Sequence, residues 1–168
     1  NLAKGTGSAV FMEDGTTRVS LLNCTVAGNQ GGVAVAVEGG VLTATNSIFW
    51  GNYGDLTGTV SLQACLTEDG VEAGTNGNLR GDPLFERGLY LSANSPCVDA
   101  GIGTAADWGL GSRTTRADGG ADINAVDMGY HFAAGLDAGY SDLYVAVTGS
   151  DTNAGNAEAP FRTLTYAL

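Results

Sequence analysis

One strand-and-turn segment occurs twice in this chain, and this repeat constrains the fold more than any other feature. Val19-Ser-Leu-Leu-Asn-Cys-Thr-Val-Ala-Gly-Asn29 is followed by Leu42-Thr-Ala-Thr-Asn-Ser-Ile-Phe-Trp-Gly-Asn52, with both Asn residues and the Gly in the same places. A degenerate third copy occupies residues 60–66. A period of this size, rich in β-branched residues and interrupted by Asn and Gly, is typical of stacked repeats. We therefore predict an all-β fold whose repeats are successive turns of a parallel β-helix.

Small or apolar residues alternate with other residues in each copy. These residues are Val19 and Leu21 in the first copy, Leu42 and Ala44 in the second, and Val60 and Leu62 in the third. Alternation places such residues on one face of a strand, here the inside of each turn of chain. Asn23 and Asn46 hold the same place in the first two copies, so we expect their side chains to stack as a ladder and to hydrogen-bond backbone groups at a turn. We interpret both as structural ladder residues rather than catalytic ones.

The charge of the chain limits the partners that it can have. Its 168 residues include 18 Asp plus Glu against seven Lys plus Arg, which gives a formal net charge of −11. Such acidity argues against nucleic acid or an anionic membrane surface as a partner. No apolar run reaches the length of a membrane-spanning helix, so no membrane insertion is predicted.

The sequence after residue 69 does not continue the repeat. Its motifs, which follow a loop-like stretch at 70–81, are Asp-Pro-Leu-Phe at 82–85, a Ser-Pro-Cys-Val-Asp-Ala-Gly run at 95–101 and Val-Asp-Met-Gly-Tyr-His-Phe at 126–132. A stacked repeat needs a cap over its last open strand edge. We therefore predict coils over residues 1–69 and a C-terminal cap module over residues 70–132.

These motifs carry a family resemblance. The runs D-P-L-F, S-P-C-x-D-A-G, R-T-T-R-x-D-G and V-D-x-G-Y-H-F occur in this order and resemble the C-terminal module of bacterial surface β-helix proteins of the choice-of-anchor family. The resemblance covers roughly residues 16–132. It implies a right-handed, pectate-lyase-like solenoid, similar also to polymorphic outer-membrane proteins. It further implies display outside the cell and no known reaction.

The last part of the sequence looks like the start of another unit. Residues 143–168 resemble the strand, G-S-D-x-N-x-G turn and helix that open a parallel β-helix, after a linker at residues 133–142. Pro160 suits the first turn of a helix, and later apolar residues fall on one face, so we predict a short capping α-helix. The helix would continue through residues 1–5 of a following copy. We interpret the chain as one period of a tandem array; the alternative is a single fragment whose ends match by chance.

Three cysteines cannot all pair within one chain. Cys24 and Cys65 hold the same place two layers apart, about 10 Å from one another, which is too far for a disulfide. A Cys65–Cys97 disulfide with Cys24 free is one prediction. Small, partly buried thiols are the equally open alternative.

The sequence predicts no catalytic constellation. Lyases and hydrolases on this type of fold need grouped carboxylates, and the lyases also need a basic residue. Residues 16–66 offer only Glu38, Asp55 and Arg18, and no two carboxylates recur at the repeat spacing. His131 lies between two aromatic residues, where we expect it to pack or hydrogen-bond rather than act as a base. We predict that the chain is not an enzyme.

Metal binding is open at two places. Asp151, Asn153 and Glu158 put oxygen ligands around a glycine turn, as calcium loops do, although an Asx turn without metal explains the pattern as well. A second acidic group, Asp118, Asp122 and Asp127, lies in the cap module. No cofactor is required, and structural calcium is the one candidate.

These observations favour a non-enzymatic, extracellular structural protein that forms the repeat unit of a surface fibre, filament or stalk. Its partners would be neighbouring copies of the same unit. An alternative is a glycan-binding adhesin, with Trp50 and Trp108 as contact residues, although Trp50 also suits packing at a coil corner. A degenerate polysaccharide lyase is the third hypothesis.

Overall fold

A computed structural model describes residues 7–134, 146–152 and 162–163. The chain divides into two compact units, Asn1–Ala134 and Gly135–Leu168. The finer boundaries at residues 69, 132 and 142 stay predictions.

Twelve short strands form among the described residues of the first unit. They are β1 (Val10–Met12), β2 (Arg18–Leu22), β3 (Thr25–Ala27), β4 (Val35–Thr45), β5 (Ile48–Trp50), β6 (Leu56–Gln63), β7 (Leu66–Thr67), β8 (Leu79–Arg80), β9 (Phe85–Arg87), β10 (Tyr90–Leu91), β11 (Arg113–Thr114) and β12 (Phe132–Ala133). Only β4 and β6 are longer than five residues.

Two parallel sheets contain the repeated segments. In the first sheet β4 is central, with β1 and β2 along one side and β6 on the other, and the second sheet has the order β3-β5-β7-β8. The copies lie side by side, with Val19 opposite Leu42 and Thr25 opposite Ile48. The strands therefore form three full layers: β1, β2 and β3 make the first layer, β4 and β5 the second, and β6 and β7 the third. In the second sheet alone, β8 adds a fourth strand beyond β7.

Left-handed residues turn the chain from the first sheet to the second in every layer. Asn23, Asn46 and Ala64 precede β3, β5 and β7 by two residues each and have φ of 49°, 51° and 49°. Asn tolerates this conformation better than other residues with a Cβ, because its short amide can bond locally. The repeated Asn is therefore explained first by backbone geometry at a corner.

One part of the core lies between the two parallel sheets. Alternate strand residues point into it, and the fully buried ones include Leu42, Phe49 and Leu62. Leu66 is also fully buried but belongs to a second cluster, which contains Met128. Burial of each such side chain contributes about 1.5–3 kcal/mol. The alternation in the sequence correctly identified this face of β4 and β6.

The predicted fold class is wrong for this structure, although the all-β content is right. The described residues form four small sheets, and two of these are two-stranded antiparallel pairs, β9 with β10 and β11 with β12. Beyond residue 67 the chain is rich in Gly and Asp, and left-handed Glu72, Asn76, Leu84 and Asp99 break it into turns. Such a segment cannot continue a regular right-handed parallel β-helix.

No helix occurs among the described residues, which corrects the predicted capping α-helix as far as they reach. Arg162 and Thr163 are non-helical, and the rest of the predicted helix lies outside the described residues. Consequently no helix that could cross a membrane is found in the described part of the chain.

Candidate functional site

A loop covers one end of the third layer, where β6 finishes and the chain turns towards β7. Within residues 70–78, Glu72 Oε2 accepts a hydrogen bond from Leu62 N at 2.9 Å. Asn78 is buried, accepts from Cys65 N at 2.9 Å and donates to Leu62 O at 3.0 Å. Side chains thus take the place of a further strand at the end of β6 in the first sheet, whereas β8 pairs with β7 in the second sheet.

The first layer lies at the opposite end, which is called the uncovered end because no described strand pairs with its outer edge. Thr17 O accepts from Val41 N, and Asn23 N donates to Thr45 O, so the odd-numbered residues of this segment bond towards β4. In a parallel ladder the alternate residues then face the other way. The backbone N–H and C=O groups of Arg18 and Ser20 therefore point outward, where no strand pairs with β2 among the described residues.

The apolar core is also open at this end. Val19, Leu21 and Val26 are only half-buried, whereas their counterparts in the second layer are fully buried. The uncovered end, defined as the outer side of β1, β2 and β3, also exposes 46 % of Phe11. A strand edge and a half-buried apolar surface thus coincide.

Asn23 and Asn46 differ in their partners although they hold equivalent positions. Asn46 is buried, its Oδ1 accepts from Ile102 N at 2.8 Å, and its Nδ2 donates to Ile102 O at 3.3 Å. Asn23 Oδ1 is a buried oxygen with no hydrogen-bond partner among the described residues. The ladder role of the pair stays a prediction, since the side chain of Asn46 binds the backbone of Ile102 in residues 79–134, which follow the parallel layers and are called the later module.

A second asparagine pair, which sequence reasoning missed, builds a polar network across the layers. Asn29 N and Nδ2 both donate to Asn52 Oδ1 at 3.0 Å. Asn52 Nδ2 donates to Asp55 Oδ1 at 2.9 Å, and Asp55 Oδ2 accepts from Glu68 N at 2.7 Å. The signal was available, because positions 29 and 52 end the two copies identically.

The buried carboxyl of Asp55 serves this network. Burial raises its pKa, and the hydrogen bonds from Asn52 and from the backbone of Asp69 and Glu68 oppose that shift only in part. Both carboxyl oxygens accept from protein donors. This geometry explains Asp55 without a catalytic role.

A cluster of acidic groups lies in the later module. Carboxylate oxygens of Asp99, Asp122 and Asp127 lie within 4.8 Å of one another, beside a cavity of about 30 Å³. Of the acidic group expected from the sequence, Asp122 and Asp127 are brought together, but Asp118 instead pairs with Arg116.

The carboxylate oxygens of Asp122 and Asp127 already accept hydrogen bonds from other groups of the protein. Asp127 accepts from Asp99 N at 2.7 Å and from Thr115 Oγ1 at 2.5 Å. Asp122 Oδ2 lies 2.9 Å from both Asp127 N and His131 Nε2. Burial raises the pKa of Asp127, opposed by the Thr115 hydrogen bond. The cluster therefore works as an internal hydrogen-bond centre of the fold.

His131 is buried in this centre and faces an acceptor from each ring nitrogen. Nε2 faces Asp122 Oδ2, and Nδ1 lies 3.0 Å from Gly129 O. If both ring nitrogens carry a proton, each donates to its acceptor. If only Nδ1 carries a proton, it donates to Gly129 O, and a protonated Asp122 donates to Nε2. Either arrangement supports the expected hydrogen-bonding role.

The tryptophans expected to contact glycans are partly enclosed. Trp50 is half-buried and packs against the cluster of Ile48, Leu66 and Met128. Trp108 is half-buried as well, and its Nε1 donates to Ile102 O at 2.7 Å. The structure does not bring the two residues into a common contact.

All three cysteines are free thiols, so the expected Cys65–Cys97 disulfide is not formed in this structure. The two belong to different apolar clusters. Burial raises the pKa of Cys97 to about 12 and also raises that of Cys65. Both behave as small core residues, whereas Cys24 is only half-buried.

Of the predicted calcium loop, Asn153 and Glu158 lie outside the described residues. Asp151 Oδ1 accepts from Arg162 N at 3.0 Å and from Thr163 N at 2.8 Å. The carboxylate thereby accepts hydrogen bonds from two adjacent backbone amides of the second unit that lie more than ten residues further along the chain.

Comparison with known protein families, with curated proteins and with solved structures finds no match for this chain.

Proposed function

We propose that this protein is a non-enzymatic, extracellular structural protein, the repeat unit of a surface fibre, filament or stalk, whose copies associate through the uncovered end. The observation that carries this proposal is the contrast between the two ends of the layered sheets. Loop 70–78 hydrogen-bonds the outer backbone of the third layer at Leu62 and Cys65, while no described group bonds the outward backbone of β2 at Arg18 and Ser20. Unpaired strand edges are templates for another chain.

A second copy suits this end better than a glycan does. The end combines outward backbone groups at Arg18 and Ser20 with half-buried Val19, Leu21 and Val26. A protein strand supplies hydrogen bonds and apolar side chains at once. A saccharide would bond the polar groups and leave most of the aliphatic surface in water.

The non-enzymatic part of the proposal rests on the use of the buried carboxyls. Asp55, Asp122 and Asp127 each accept hydrogen bonds from protein donors. Groups committed in this way hold loops together and are poorly placed to act on a substrate. No cofactor is required for a fibre role, and structural calcium at Asp151 stays a prediction.

Association is tested with a double substitution, Phe11→Lys with Ser20→Pro. The first puts a charge on the exposed part of β1, and the second removes an outward N–H from an edge strand, where proline is tolerated. We expect wild type to form assemblies larger than 17.0 kDa in sedimentation velocity, and the double variant to sediment as one unit.

The matched control is Ile123→Lys, which puts the same charge on an apolar side chain that is 74 % exposed outside the uncovered end. The control variant should assemble as wild type does. Wild type that stays a single unit at every concentration, or a control that dissociates equally, would contradict the proposal. Intact mass under denaturing, reducing conditions separates covalently joined units from associated ones.

A further inference from the structure

A groove of about 440 Å³ opens where the β2–β3 corner meets the later module. Its wall includes Leu22 and Cys24 from the corner, and Leu110, Arg113 and Tyr130 from the later module. Small-molecule sites commonly have volumes of about 300–1,000 Å³ and combine apolar walls with a few polar groups. None of the residues expected to bind calcium or glycans lies in it.

Arg113 supplies the positive charge of this groove. The residue is exposed, and its guanidinium makes only a 3.5 Å contact with His131 O. Within the described ranges Arg113 forms no ion pair, in contrast to Arg116, which binds Asp118. The planar guanidinium fork matches a carboxylate. Other described arginines, such as Arg87, also lack an ion pair, but Arg113 is the arginine that lines this groove.

In contrast to Arg113, the side chain of Tyr130 gives the groove an aromatic wall, and neighbouring residues hold it in place. Tyr130 packs edge-to-face on Phe132, whose ring stacks on Tyr90, and Tyr130 N donates to Thr25 Oγ1 at 2.9 Å. Half of the Tyr130 surface stays exposed, at 51 %. Together with Leu22 and Leu110 it offers a surface on which an apolar body can pack.

We propose that this groove binds a small organic carboxylate with an apolar body. The carboxylate pairs with the guanidinium of Arg113, and the body packs against Leu22, Leu110 and Tyr130. Neutral ligands of the same shape lack the charge-assisted contact. Dianions such as inorganic phosphate lack the apolar contact. Leu22 also belongs to β2 at the uncovered end, so the groove is tested on dilute wild type that sediments as a single unit.

Cys24 provides a reporter inside the groove. It is half-buried, whereas Cys65 and Cys97 are fully buried. A thiol reagent should therefore modify Cys24 first, and a ligand in the groove should slow that reaction. Cys24→Ser identifies the reporter, because this variant should lose the fast phase of modification.

The experiment measures the rate of Cys24 modification by a disulfide reagent with increasing benzoate or hexanoate. We expect saturable protection by both acids and at least tenfold weaker protection by benzamide and hexanamide, since hydrogen bonds to charged groups are the stronger class. Arg113→Gln should weaken protection by benzoate about tenfold. Arg87→Gln, a change at another exposed arginine, should leave it unchanged.

Two results would overturn the proposal. One is equal protection by benzoate and benzamide, which means that charge plays no part. The other is no saturable protection by either acid in the wild-type protein. The comparison of acid with amide uses wild type alone, so it stands even if Arg113→Gln fails to fold. Protection by inorganic phosphate equal to that by benzoate would reject the apolar contact.

Discussion

At the scale of single residues, buried polar groups rather than exposed ones carry most of the specificity of this fold. Asn46 binds the backbone of Ile102 through both side-chain atoms, and Asn52 joins Asn29 to Asp55. A buried donor or acceptor that loses its partner costs about 1–3 kcal/mol. These side chains therefore fix which loop lies against which layer.

Asp55 gives a testable pH dependence. Its pKa is raised by burial above the ordinary value of 3.8. Between the unfolded and the raised folded pKa, the folded protein binds more protons than the unfolded chain, so its stability falls as pH rises through that window. Asp127, whose pKa burial also raises, acts in the same direction.

We expect Asp55→Asn to lower the free energy of unfolding by about 1–3 kcal/mol near neutral pH, because the new amide faces the N–H donors of Glu68 and Asp69. Wild type should gain stability relative to this variant as pH falls from neutral towards the ordinary carboxyl pKa of 3.8. Urea unfolding across this range measures the difference. A gap that narrows as pH falls would contradict the raised pKa.

At the scale of elements, the repeat identified from sequence forms the parallel strands, and the later part does not follow the prediction. Register in β2 and β4 is specified because a slip of one residue would expose Val19, Leu21, Leu42 and Ala44. Strands β8 to β12 are two or three residues long, too short for any periodic signal. Tertiary contacts decide such segments, as at Gly129 N, which donates to Asn46 O.

The candidate sites, too, could be predicted from the sequence only where a repeated position marks them. Equal spacing pointed to Asn23 and Asn46, and the identical ends of the copies could have pointed to Asn29 and Asn52. No sequence spacing announces that Asp99 joins Asp122 and Asp127, because Asp99 comes from a separate segment that only the fold brings beside the other two. The unpaired state of Arg113 likewise depends on which acids fold nearby.

Two positions show the two different reasons for which this fold needs a glycine: a left-handed backbone conformation and a close approach of another strand. Gly58 in β6 has φ of 90°, and a Cβ there would lie 1.8 Å from Val37 O in β4. Gly28 has φ of 68°, but a Cβ on it would meet nothing within 4 Å. Both sites disfavour a side chain through φ, by about 1–2 kcal/mol. Only Gly58 adds a clash with another strand.

We therefore expect Gly28→Ala to lower the free energy of unfolding by about 1–2 kcal/mol, and Gly58→Ala to lower it by at least about 2 kcal/mol more. Urea unfolding of the two variants and wild type under one condition measures both values. Equal destabilisation by the two substitutions would mean that β4 and β6 do not approach as closely as described.

At the scale of the whole molecule, the net charge disfavours association of copies and the contacts available at the uncovered end favour it. Every copy carries a net charge of −11, so copies repel at long range. The uncovered end itself offers strand backbone and the apolar side chains of Val19, Leu21 and Val26. Association through this end must therefore use short-range contacts that overcome the repulsion.

This balance predicts the sign of the salt dependence. Screening shortens the Debye length from about 10 Å at 0.1 M salt to about 3 Å at 1 M, which weakens the repulsion while strand hydrogen bonds and apolar contacts persist. We expect assembly to strengthen several-fold between about 0.05 M and about 0.5 M sodium chloride, as measured by sedimentation velocity. The variant with Phe11→Lys and Ser20→Pro should stay a single unit throughout. Assembly that weakens with salt would indicate ion pairs between copies and would move the contact away from β1, β2 and β3.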